Sequence, residues 1–136
     1  MKNSICVFVL FLLLFLNYES VLSQPLTGTK TIPGDYATIK IAVNALNTYG
    51  VGTGGVTFNV SAGYSETLAS DSIYITASGT ASNPIVFQKS GSGSNPCVTR
   101  TDAGTKTTSS IGGNGDAVII IEGSDYITFN AIDVTA

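Results

Sequence analysis

VTFN at residues 56–59, IVFQ at 85–88 and ITFN at 127–130 are three versions of one phrase: an aliphatic residue, a β-branched residue, a phenylalanine and a carboxamide. Residues of these types favour strands. The intervals between the copies are unequal, and the connections are not the two-residue Asn-Gly or Asp-Gly turns that join hairpins. A strand phrase that returns without hairpins predicts a chain that winds repeatedly, stacking phenylalanine on phenylalanine and amide on amide. The expected fold class is therefore mainly β, a right-handed parallel β-helix. A β-sandwich is the alternative, although it usually shows more regular turns every 8–12 residues or so.

Outward from this phrase the chain offers two more strand candidates, IYIT at 73–76 and AVIIIEG at 117–123. Between the strands lie SAGYSE, SGTASNP, SGSGSNP and GGNGD, all rich in turn-forming residues. One segment has a different period. Ile39, Ala42, Val43 and Leu46 recur at i, i+3, i+4 and i+7, the single apolar stripe of an amphipathic helix. Asp35 or Thr38 can cap its start, and Gly50 can end it in the left-handed conformation. Ile41 and Ala45 widen the stripe, and the helix is expected to lid the coil.

The front of the chain is expected to be removed. Lys2 gives a positive start, residues 5–16 are an unbroken apolar run, and Val21 and Ser23 precede Gln24 with the spacing of a cleavage site. These are the parts of a secretory signal peptide spanning residues 1–23, and the run is shorter than the roughly 20 residues of a membrane span. No membrane span is then expected after cleavage. Residues 24–136 form the expected domain, a cap helix followed by coils. Ile132 and Val134 have no evident cover after them, and further windings beyond residue 136 are expected.

Composition narrows the function by exclusion. Six basic and nine acidic residues give a net charge of −3, and charged residues are 11% of the chain, so no basic patch for nucleic acid is expected. Histidine is absent, which removes the commonest general base and metal ligand. Cys97 is the one cysteine after the leader, so it is inert, a free thiol, or paired outside this stretch.

With these residues in place, a family resemblance can be stated. DYATIKIAVNAL, GGVTFNVSAGYSETL, SGTASNPIVFQKS and GDAVIIIEGSDYITFNAIDVTA together resemble the N-terminal part of right-handed parallel β-helix proteins of the pectin-lyase-like class. The order is similar to that of secreted bacterial surface proteins and, more distantly, to the start of pectinesterases. The resemblance implies the fold and an extracellular or cell-surface location. It implies structural roles for Tyr64 and Glu66, and it carries over no catalytic residue. The position of Ile41 is usually acidic or polar in such helices, so the helix is expected to be more buried than is typical. The polar stretch 99–111 receives no winding and reads as a loop.

No motif rises to a site. Residues 50–55 satisfy G-x-G-x-x-G, but a helix precedes them and a strand follows, the reverse of a dinucleotide site, so they read as a connector. GGNGD at 112–116 occurs once and lacks the neighbouring repeats that would complete a calcium shell, so it reads as a tight turn. Asp116, Glu122, Asp125 and Asp133 form the densest acidic set, and they read as solvated turns and outward faces. Tyr64, Tyr74 and Tyr126 offer faces on which sugar rings could stack, with rim packing as the simpler reading. Asn59 begins a glycosylation sequon but lies within a strand. Catalytic, cofactor-binding and metal-ligating residues: none are identified.

Two functions follow as expectations. The first is a secreted or cell-surface protein, structural or in contact with a polysaccharide or cell-surface glycan. The second is a carbohydrate-active enzyme whose active site lies on windings beyond this chain.

Overall fold

The computed structural model describes residues 24–69, 71–101 and 117–135. The expected leader, Asp116 and the GGNGD turn lie outside the described residues. Nine strands and one helix follow in the order β1 Leu26–Ile32, α1 Ile39–Tyr49, β2 Val51–Ser61, β3 Ser65–Leu68, β4 Ile73–Ile75, β5 Ile85–Ser90, β6 Cys97–Arg100, β7 Ile119–Ile121, β8 Ile127–Asn130 and β9 Asp133–Thr135. Among these residues no helix is long and apolar enough to cross a membrane.

The strands form three sheets, ordered β1-β2-β5-β8, β3-β6-β9 and β4-β7. Every ladder between them is parallel. The chain lays down β2, β3 and β4, then returns with β5 beside β2, β6 beside β3 and β7 beside β4, and again with β8 beside β5 and β9 beside β6. Each pass therefore gives at most one strand to each sheet. The fold is mainly β with parallel sheets. The sandwich alternative is corrected here: a sandwich is built of antiparallel ladders joined by hairpins, whereas parallel neighbours need a long crossover between them. The one antiparallel bridge among the described residues, Thr80 with Asn83, closes a turn.

The repeated phrase sets the register. Val56 pairs with Ile85 and Ile85 with Ile127, Phe58 with Phe87 and Phe87 with Phe129, Asn59 with Gln88 and Gln88 with Asn130. Phe58 and Phe87 stack with centroids 4.5 Å apart and planes 12° from parallel, and Phe87 and Phe129 at 5.1 Å and 9°. Gln88 Nε2 donates to Asn59 Oδ1 at 2.9 Å. Side chains alternate across the strand, so Val56, Phe58 and Val60 are buried while Thr57 and Asn59 face outward. Unlike the sheets of α/β proteins, which are covered on both faces, this parallel sheet leaves one face to solvent.

Helix α1 lies between β1 and β2, in the pass where later turns of the chain lay down two strands. Thr38 is its cap, the hydroxyl accepting from Ile41 N at 3.0 Å, and Gly50 ends it with φ 70°. Ile39, Ala42, Val43 and Leu46 are wholly buried, as the periodicity predicts. Ile41 is 48% exposed, so it does not widen the buried stripe as expected, whereas Ala45 packs against the core. Ile41 lies two residues from Ile39, on the far side of a helix with about 3.6 residues per turn.

Several strands escape the sequence reading. β1, β3 and β9 are short or rich in hydroxyls. The stretch 99–111, expected to be a loop, begins within β6, where Thr99 and Arg100 pair with Thr67 and Leu68. The expected connector at 50–55 is mostly strand: β2 starts at Val51, pairing with Leu26, and its register shifts before Val56 meets Gly28. Gly55 has φ 78°, and a Cβ there would come within 2.4 Å of Pro84 O, so the two segments approach as only glycine permits.

Candidate functional site

The densest meeting of polar groups lies where β3 faces the start of α1. Glu66 sits on β3 at an inward position, 6% exposed. Its carboxylate accepts from Ile39 N at 2.7 Å and from Lys40 N at 3.2 Å. The first turn of α1 carries no acidic residue of its own. Glu66 supplies that charge from a strand, satisfying two of the amides that a helix start leaves without partners and complementing its positive end.

Tyr64, two residues earlier, donates its hydroxyl to Ala37 O at 3.2 Å and lies 3.5 Å from Glu66 Oε2. Burial, then the neighbouring Glu66 charge, push its phenol up to about 12. It is a neutral hydrogen-bond donor under all ordinary conditions. Lys40 reaches from α1 to the carboxylate of Asp71, forming the ion pair that closes this corner. The Lys40 hydrogen bond, with that of Ser72 N, holds Asp71 below the usual carboxylate range. An open cavity of about 480 Å³ lies here, lined among others by Thr38, Lys40, Tyr64, Ser65, Thr67 and Asp71.

These groups join helix to strand. Both oxygens of Glu66 hold helix amides, Tyr64 is kept protonated, and Lys40 is matched to Asp71. Of the lining residues, Ser65 and Thr67 add exposed hydroxyls. The structural roles implied for Tyr64 and Glu66 agree with these bonds.

A second buried charge does similar work. Arg100 is 5% exposed, and its Nη1 donates to Ser72 Oγ at 3.2 Å and Ala117 O at 3.1 Å. Asn47 of α1 donates to Tyr74 O at 2.7 Å and accepts from Thr76 N and Ala77 N at 3.0 and 3.1 Å. Sequence reasoning passed over Lys40, Asn47, Asp71 and Arg100. Only Arg100 carried a signal, since it stands two residues from Val98 and so on the same inward face of β6.

The acidic set is dispersed. Glu122, Asp125 and Asp133 are exposed, with Asp133 accepting from Asn95 Nδ2 at 2.9 Å. Among the described residues no three of His, Cys, Asp and Glu are grouped to hold a metal. Tyr74 and Tyr126 are 38% and 58% exposed. Cys97 is a free thiol on the central strand of its sheet, 3.6 Å from the hydroxyls of Thr99 and Thr135. Asn59 lies in the amide ladder with Gln88. No family model, curated protein or solved structure matches the chain.

Proposed function

We propose that this chain forms windings of a right-handed parallel β-helix in a secreted, cell-surface protein, and that its role is mechanical. The helix α1 lids one end of the windings. The outward faces, uncharged over much of their area, meet surrounding polysaccharide or glycan.

The observation that carries this reading is the in-register column of Phe58, Phe87 and Phe129 with the amides of Asn59 and Gln88 beside it. Such columns stiffen a coil along its axis, since each winding is held by the next through the same contacts. The buried polar groups support it too, because Glu66, Asn47 and Arg100 all bind one segment to another. An extracellular location is supported by the leader-like residues 1–23 and by hydroxyls and amides in place of ions.

Expression of the full chain in a secreting bacterial host tests the reading. The expected product leaves the cytoplasm with Gln24 as its first residue, established by N-terminal sequencing. Retention inside the cell with residues 1–23 intact overturns it. An experimental structure with left-handed or non-coaxial windings overturns the β-helix part alone.

A further inference from the structure

We propose that the free edge of β3 accepts an extended peptide segment of a partner protein as an added strand. This inference stands on the local geometry and does not depend on secretion.

The hydrogen bonds fix which residues face that edge. Cys97 N donates to Tyr64 O at 2.8 Å, and Thr101 N to Leu68 O at 3.0 Å. In a parallel ladder alternate residues turn their main chain to the same neighbour. Tyr64, Glu66 and Leu68 therefore face β6, and Ser65 and Thr67 point their N–H and C=O the opposite way. Both residues line the cavity of about 480 Å³ beside α1. Among the described residues nothing pairs with them there.

The neighbouring edges on this side of the molecule are treated differently. In β4, Ile73 N and Ile75 O bond toward β7, so Tyr74 and Thr76 face α1. The Asn47 carboxamide meets both, donating to Tyr74 O and accepting from Thr76 N, as a neighbouring strand would. At the end of β1, Thr31 N donates to Asp35 Oδ2 at 2.8 Å, and Thr31 O accepts from Tyr36 N at 3.2 Å, while the exposed Thr29 earlier on that edge has no such partner among the described residues. Dedicated groups of the chain thus meet the edge of β4 and the end of the edge of β1, while the edge of β3 lies along a cavity.

An unpaired edge of two residues offers two donors and two acceptors at strand spacing, the pattern that an extended main chain matches and a compact ligand does not. The walls set the side chains of the occupant. Ser65 and Thr67 present exposed hydroxyls, and the charges of Lys40 and Asp71 are already matched to each other. An uncharged segment with hydroxyl-bearing or β-branched residues fits, and no apolar anchor is called for.

Amide deuterium exchange of the full chain, read by NMR, tests this with acetyl-Thr-Val-Thr-Val-Thr-amide in large excess as the probe. Exchange at Ser65 and Thr67 is expected to slow by about tenfold. A peptide of the same sequence, N-methylated at alternate residues, is expected to leave it unchanged. Thr67→Pro removes an edge donor without touching the β6 ladder and is expected to abolish the effect. The N-methylated peptide serves as the control if that variant fails to fold. Unchanged exchange in excess probe overturns the proposal, as does equal slowing by the N-methylated peptide. Protection that rises with protein concentration in the absence of probe also overturns it, because a second copy would then be the occupant.

Discussion

At the residue scale, Glu66 holds the assembly of helix and sheet together. It is buried with both oxygens accepting helix amides. Removing a buried acceptor leaves its donors without partners, at about 1–3 kcal/mol. Glu66→Ala is expected to lose at least that much stability in chemical denaturation, and Glu66→Gln less, because one acceptor remains. Tyr64 yields a pH prediction. Its folded-state pKa, about 12, is raised above the ordinary tyrosine value of 10.0. The protonated phenol therefore favours the folded state fully below pH 10, and that contribution is lost as pH rises toward 12. Ultraviolet titration is expected to show a late-ionising tyrosine, absent in Tyr64→Phe, with alkaline destabilisation reduced in that variant. Neither partner of Glu66 was visible locally, since Ile39 and Lys40 lie 27 and 26 positions away in the chain.

At the element scale, the phenylalanine column and the Asn47 bridge dominate. Phe87 is wholly buried between Phe58 and Phe129. Phe87→Ala is expected to destabilise by about 3–5 kcal/mol, measured by urea unfolding, because the cavity sits in mid-column. Phe129, only partly buried, is expected to matter less. Asn47→Ala leaves Tyr74 O and Thr76 N without their partner and is expected to raise exchange along β4 before that along β5. The helix was legible because its stripe and cap are written within one segment. β3, β6 and β9 were not. Each is only three or four residues long, with hydroxyl, thiol or charged side chains beside its aliphatic ones, and strand length this short leaves little alternation to count.

At the scale of the whole molecule, the register is the testable quantity. Thr57 and Val86 are direct partners on the outward face of the first sheet. In a Cys97→Ser background, Thr57→Cys with Val86→Cys is expected to oxidise readily to a disulfide without loss of cooperative unfolding. Thr57→Cys with Gln88→Cys, two residues out of register, is expected to stay reduced. Mass spectrometry distinguishes the two. The opposite result would mean that the phrase does not stack on itself.

By itself the sequence determined the helix and its Gly50 end, narrowed its cap to Asp35 or Thr38, and set the mainly β class and the column of phenylalanines. Those features rest on local periodicity and on a phrase whose copies differ little. Tertiary structure alone decided for the expected parallel ladders over the sandwich that the sequence left open, and it alone decided that β3 carries the acid for α1 and lines a cavity beside it. Such features arise from which passes of the chain become neighbours. Hydrogen-bond parity and the pairing of distant charges follow from that adjacency, and no window of sequence contains both partners.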